Sequence, residues 1–448
     1  MLSKKKNTKQ SSLFLGLDDM LNQKHPMYIL ANKVDWQLFE DSFSPLYCAD
    51  NGRPAKPIRL MVGLLILKHL RNISDESVVE QWSENNYYQY FCGEQVFQPC
   101  EPCEASELVH FRHRIGESGV ELILKESIRI NGNDSNDPTA SIDTTVQEKN
   151  ITFPTDSKLH RKIIDKCKKI AEKEELPVRQ SYTRTLKKLA LNQRFRNHPR
   201  NKWKARKADR KEKTIAGRLA RELERNLPPN SKYQSDVELF NRILNQKKND
   251  SNKVYSVHEP DVQCISKGKE HKKYEFGNKV SIIYTQRTGV IIGAMSFRNP
   301  YDGHTIEPAL EQVERLLGKK TIKTLIGDRG YKGKKHVNGT TIEIPKPFSD
   351  KTQSQYQQNK LKKQFRRRAA IEPINGHLKT DHRLNRNFYK GITGDNINAM
   401  LAAAAFNFKR MMNIWKSSFC ALLKLLFEAS INKWIWQNNN QLNKTWAF

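Results

Sequence analysis

The hydrophobic pattern begins weakly and becomes helical. Residues 1–55 read as a basic leader and N-terminal segment with one apolar patch, Trp36, Leu38, Phe39 and Phe43. From Pro57, residues Ile58, Met61, Leu64, Leu65 and Leu67 recur at helical spacing. A second helix is predicted after Ser74, with Asp75 and Glu76 in its first turn, where the helix dipole favours acids. Its apolar positions are Val78, Val79 and Trp82. Further helical segments are predicted over Ser106–Gly116 and from about Gly119 to Ile128. Together they predict an all-α domain over 56–130, suited to reading DNA or to dimerisation. The run Tyr87, Tyr88, Tyr90 and Phe91 reads as core rather than as a base-stacking platform.

N-G-N-D-S-N-D-P over Asn131–Pro138 is rich in turn formers and marks a linker. A strand over Ala140–Val146 opens the next domain, expected to span 138–415. A helical insertion follows at about 158–246, and within it Ser235-Asp-Val-Glu238 has a capping-box pattern. Val280–Thr285 and Val290–Phe297, joined by Q-R-T-G, predict a β-hairpin. A helix from about Thr305 to Leu317 should end at Gly318. Strands over Thr321–Ile326 and Thr341–Ile344 follow, then a basic helix from near Asp350 to Arg368. Without the insertion, this element order is that of a ribonuclease-H-like α/β domain. The expected fold is therefore an all-α N-terminal domain followed by such a core. An amphipathic helical tail over 416–448 completes the expectation; Lys424, Glu428 and Lys433 interrupt its apolar run.

Charge narrows the function. The chain carries 78 Lys+Arg against 48 Asp+Glu, a net charge of +30. Such a molecule attracts polyanions, and counterion release makes nucleic acid the default partner. Arg184–Asn226 holds sixteen Lys/Arg against four Asp/Glu, while Ile215, Leu219 and Leu223 line one helix face. That one-sided excess favours a DNA-backbone contact over a merely solvated surface, with Arg206 and Lys207 as candidates. Arg112 and Arg114 of F-R-H-R are candidates in the N-terminal domain. No apolar run is long enough to span a bilayer, and no secretory signal is recognisable. A membrane is not an expected partner, and a bacterial cytoplasmic, nucleoid-associated location is. The seven cysteines are scattered, which suits a reducing compartment. Cys100-Glu-Pro-Cys103 with Cys92 nearby supplies at most part of a zinc site.

Three carboxylates carry the candidate chemistry. Asp143 lies inside the T-A-S-I-D-T-T strand, Asp328 at the end of the strand in L-I-G-D-R-G-Y, and Glu372 lies 44 positions later in R-R-A-A-I-E-P-I-N-G-H-L-K. Phosphodiester cleavage is assisted by two cations about 4 Å apart, held by acids from separate elements. Mg²⁺ suits such all-oxygen ligands. Asp143 would bridge the two ions, Asp328 would bind one and Glu372 the other. Gly327 and Gly330 permit a tight strand exit at Asp328. Arg368, Glu372, Asn375 and Lys379 would share one face of a continuous helix. Pro373 opposes that continuity and predicts a restart or kink.

These stretches resemble the DDE transposases of bacterial insertion sequences, of the InsH-like type. D-T-T, G-D-R-G-Y and R-x-x-x-E-x-x-x-x-x-x-K match that family's three catalytic blocks over roughly residues 40–415. Arg368, Glu372 and Lys379 fit its Y-R-E-K signature, while Phe365 stands where the family has Tyr. V-H-E-P-D at Val257–Asp261 and N-P-Y-D-G-H at Asn299–His304 also look like family motifs, without an assigned role. Asp302 reads equally as a turn or cap residue. The resemblance implies Asp143, Asp328 and Glu372 as metal-binding catalytic residues, with Phe365, Arg368 and Lys379 on DNA. It also implies two Mg²⁺ ions, replaceable by Mn²⁺, and a homo-oligomer acting on terminal inverted repeats and target DNA. Alternatives are a catalytically silent DNA-binding regulator and a ribonuclease-H-like nuclease without joining activity.

Overall fold

The computed structural model describes residues 16–48, 51–247, 249–266, 273–345 and 354–417. The expected leader up to residue 15, the start of the basic helix near Asp350 and most of the C-terminal tail lie outside them. The chain packs as two compact units. The first takes the described residues of 1–145, 280–387 and 393–448; the second takes Val146–Lys279 and Phe388–Ile392.

The first unit holds helices Pro26–Lys33, Trp36–Phe43, Ile58–Leu70, Asp75–Glu84, Asn86–Phe91 and Ala105–Ile130 together with most of the β-sheet. Ile58–Leu70 is buried almost all round, as its nearly unbroken apolar sequence requires. Gly63 lets it approach Cys92, because a Cβ there would lie 2.7 Å from the sulfur. Ser74 caps Asp75–Glu84 by accepting from the Ser77 amide at 3.1 Å. The two segments expected before and after Gly116 are one helical run broken at that glycine, whose φ of 60° is open mainly to glycine. Tyr88 and Phe91 are buried, and Tyr90 stacks on Tyr28, in keeping with a packing role.

The strands are β1 (Thr139–Lys149), β2 (Gln263–Ile265), β3 (Glu275–Thr285), β4 (Ile291–Phe297), β5 (Thr324–Ile326), β6 (His336–Val337), β7 (Thr340–Glu343) and β8 (Arg386–Asn387). Within the first unit β3 and β4 form the expected hairpin, closed by Thr285 N–H to Val290 O at 2.9 Å. The order β4-β3-β1-β5-β7 then runs across the sheet, with β1, β5 and β7 mutually parallel. The apolar strands β1 and β5 are fully buried at Ile142, Leu325 and Ile326. Helix Ile306–Leu317 ends at Gly318, φ 66°, as expected. Sequence periodicity overestimated β5, which begins only at Thr324, and missed β6, which pairs antiparallel with β7.

The second unit contains helices Asp156–Lys173, Thr183–Gln193, Lys202–Asn226 and Gln234–Asn245. Ile163, Ile164, Leu219, Leu223 and Phe240 are among the residues of their common core. Glu212, fully buried, accepts from Ser157, Arg161 and Gln193 and ties three of the helices together. The capping box expected at Ser235–Glu238 does not form. The last helix starts two residues earlier, after Tyr233, with no side-chain cap. Gly277 of β3 passes so close to β1 that a Cβ would lie 1.9 Å from Gln147 O. Glu259, from the V-H-E-P-D stretch, is buried against Lys149 at 3.4 Å and accepts from the Gly391 amide, a structural role. No helix of the described residues is long and apolar enough to cross a membrane.

Candidate active site

Parallel pairing of β1 and β5 sets Ser141 opposite Ile326. Continuing that register two residues along both chains brings Asp143 level with Asp328. Neighbouring strands lie about 4.8 Å apart, so the register directs both acids to the same end of the β1–β5 pair. Asp143 is half-buried between buried Ile142 and Thr144. Asp328 follows β5 directly, and its Oδ1 accepts from the Gly330 amide at 2.8 Å. That bond caps the short helical turn Arg329–Tyr331 and fixes the carboxylate at the strand exit.

The basic stretch forms two helices, Gln355–Arg368 and Ile371–Thr380, separated at Ala369–Ala370. The single face expected for Arg368, Glu372, Asn375 and Lys379 is therefore corrected: Arg368 closes the first helix and the other three belong to the second. Pro373 lies in the first turn of that second helix, where an amide has no intrahelical partner to lose. Asn375 donates from Nδ2 to Asp143 Oδ2 at 3.2 Å, and its buried Oδ1 has no partner among the described residues. Glu372, exposed, lies one turn before Asn375 on the same helix, so the two are surface neighbours. Arg368 accepts through its carbonyl from Tyr284 Oη at 3.0 Å, and Gln286 donates to Gln364 O at 2.8 Å. Burial, above all, raises the Tyr284 phenol's pKa; Arg368 and Asp143 both stand within reach of its charge. Phe365 and Lys379 are half-buried.

Asp302 joins this group, although its N-P-Y-D-G-H stretch gave only a turn or cap reading. Its Oδ1 accepts from Thr144 Oγ1 at 3.2 Å. A Cβ added to Gly330 would lie 2.9 Å from Asp328 Oδ1 and 3.0 Å from Asp302 Oδ2, so both carboxylates border that glycine. Tyr331 is completely buried; burial first, then the charges of Asp143, Asp302 and Asp328, raise its phenol well above the usual range.

Among the expected DNA contacts, Arg206 and Lys207 are exposed on helix Lys202–Asn226. Arg114 is exposed over the Tyr47 ring at 4.3 Å. Arg112 is a correction. It is buried and holds both oxygens of Asp75 at 2.8 and 2.9 Å, with Lys68 on the same carboxylate. An arginine so engaged has no fork free for a phosphate.

The donors around Asp143 are oxygens of carboxylates and an amide, which suits a hard divalent cation rather than zinc. Among the described residues no three His, Cys, Asp or Glu side chains close to coordination distance of one ion. Cys92 and Cys103 are buried and their thiols are pushed up in pKa by burial, while Cys100 is exposed.

A mixed α/β sheet with one acid inside β1 and another just past the end of the parallel strand β5 fits the metal-dependent polynucleotidyl transferases and endonucleases. Two family models match: Transposase domain (DUF772) over residues 15–114 and Transposase DDE domain over 250–408. An uncharacterized protein of Rhizobium meliloti, ORF8 in the nfe locus, is 40% identical over 189 residues, covering 41% of this chain and 91% of that protein. No solved structure matches. The chain belongs to the DDE transposases of insertion sequences. It is thus a DNA transposase with a ribonuclease-H-like core, of a family that uses divalent metal ions.

Proposed function

We propose that this transposase is of the InsH-like type, binds the terminal inverted repeats of its element, and cleaves and joins DNA through Asp143, Asp328 and Glu372. The supporting observation is the β1–β5 register, which runs toward Asp143 and Asp328, with Asn375 linking Asp143 to the helix that carries Glu372. Asp143, Asp328 and Glu372 would hold two Mg²⁺ ions, which Mn²⁺ could replace. When bound, the ions activate the attacking oxygen and neutralise the leaving one. Asn375 orients the Asp143 carboxylate. Arg368 and Lys379 grip the phosphate backbone beside Glu372, and Phe365 stacks where the family's Tyr would stand. Arg206, Lys207 and Arg114 contribute exposed positive charge to duplex binding. The protein works as a homo-oligomer on terminal repeats and target DNA, in the bacterial cytoplasm where the nucleoid lies.

The test uses purified protein and DNA carrying the element's ends. Asp143→Asn, Asp328→Asn and Glu372→Gln should each lower strand cleavage by at least about a thousandfold, since a transition-state stabiliser is lost. Binding to the end DNA, followed by gel shift, should stay within a few-fold. Cleavage by any one variant at the wild-type rate removes that residue from the site. Wild-type cleavage without joined products would mark a nuclease instead.

A further inference from the structure

We propose that Asp302 is a fourth carboxylate of the cation site, sharing with Asp328 the divalent ion assigned to that residue. The proposal rests on the reading of Asp328 as a cation ligand. Asp302 comes from the turn Asp302–Thr305, between the β3–β4 hairpin and helix Ile306–Leu317, so it is delivered by an element separate from β1, β5 and the Glu372 helix. Thr144, the residue after Asp143, donates to its Oδ1 at 3.2 Å. Its Oδ2 and Asp328 Oδ1 stand 3.0 and 2.9 Å from the point where a Gly330 Cβ would be. Glycine at 330 therefore leaves the space between two carboxylates open, and any side chain there would fill it.

An independent sign of a ligand comes from Tyr331. Its side chain is wholly buried, and its hydroxyl, close to Thr144, makes no well-formed hydrogen bond among the described residues. After burial, the charges of Asp143, Asp302 and Asp328 act on it, each raising its pKa. A buried phenol donor without an acceptor is costly in a folded protein. Within the field of these carboxylates, it could bond an ion's water or a carboxylate that turns toward an ion. The like charges of Asp302 and Asp328, both bordering Gly330, repel each other, which a divalent cation between them would relieve. Carboxylates in this arrangement suit the oxygen-rich shell of Mg²⁺ or Mn²⁺.

The experiment measures Mn²⁺ binding to the full-length protein without DNA, by electron paramagnetic resonance of the free ion and by calorimetry. Asp302→Asn keeps the shape and the bond from Thr144 but removes the charge, and should weaken Mn²⁺ binding at least tenfold. Asp302→Glu should restore most of that loss, which a purely structural role would not. Wild-type affinity in Asp302→Asn, or an equal loss in both variants, overturns the proposal. Asp328→Asn separates the two readings. Loss in Asp328→Asn with none in Asp302→Asn sinks only the role of Asp302, whereas no loss in either removes Asp328 from the cation site as well. Should Asp302→Asn fail to fold, wild-type protein loaded with Fe²⁺ and treated with ascorbate and peroxide gives an independent answer. Backbone cuts, mapped by mass spectrometry, should fall around Asp302 and Asp328 together; cuts at Asp328 without cuts at Asp302 would overturn the assignment.

Discussion

At the scale of single residues, burial decides what a charge is for. Lys68, Asp75 and Arg112 are all nearly closed to solvent, and the carboxylate lies between two cations. Burial raises the Asp75 pKa, yet the hydrogen bonds and charges of Arg112 and Lys68 outweigh it and hold the acid below the usual carboxylate range. Removing Arg112 strips two charge-assisted hydrogen bonds from a nearly buried carboxylate that keeps only Lys68, which costs about 1–3 kcal/mol. Arg112→Ala should therefore lower the urea midpoint sharply, with DNA affinity unchanged in the fraction that remains folded. A stable variant with weakened DNA binding would restore Arg112 to the DNA-facing surface. The fully buried His69 belongs to the same scale. Burial, first of all, pushes its pKa down to about 3, and its ring meets Asn398 Oδ1 at 3.2 Å. The fold holds the neutral imidazole, while the unfolded chain takes up a proton below about pH 6.5. His69 thus costs nothing above about pH 6.5, and stability falls as pH drops from there toward 3. The slope from one such group is at most about 1.4 kcal/mol per pH unit. Urea midpoints at pH 7.5 and 5 should fall further apart in wild type than in His69→Gln; equal differences would refute the assignment.

Elements bring these residues to their places through close backbone approach as much as through apolar faces. The cleanest case is Gly277, where β3 meets β1 and a Cβ would lie 1.9 Å from a main-chain oxygen that cannot rotate away. Gly277→Ala must spread the two strands, at a cost of about 3 kcal/mol. Thermal unfolding followed by circular dichroism should show a clear fall in Tm, and an unchanged Tm would mean the strands have slack. Local pattern made β1, the β3–β4 hairpin and helix Ile306–Leu317 legible, because apolar alternation, a Gly-containing turn and a C-terminal glycine are all encoded within a few residues. Where the cue was weak, reading failed. β6 is two residues long, too short for any periodicity, and exists through its pairing with β7. Pro373 correctly pointed to an interruption in the basic helix, but the break falls three to four residues earlier, at Ala369–Ala370. Pro373 itself is accommodated in the next helix's first turn.

For the whole molecule, the +30 charge governs the partner. With Glu212 locking the helices of the second unit from inside, its exposed cations stay on the outside, where phosphates can reach them. A protein neutralising 6–10 phosphates loses roughly 10³–10⁵ in affinity between 50 and 200 mM salt. Fluorescence anisotropy on a labelled end fragment should show that steep loss; a flat response would mean few phosphate contacts.

The sequence alone determined the charge, most of the helices and strands, and two acids placed directly in or after apolar strands, because each is written in composition or in neighbouring residues. The three motifs also pointed to the family that the comparisons show. Tertiary structure decided which acids stand together. Asp143 and Asp328 are separated by 185 positions and lie on strands brought together by one parallel register; Asp302 is bonded to Thr144, 158 positions away. It likewise took Arg112 out of the basic surface and gave it to Asp75. Periodicity records whether a position faces inward, but a carboxylate's partners are set by packing between distant segments, where short-range electrostatics is felt only after the chain has closed on itself.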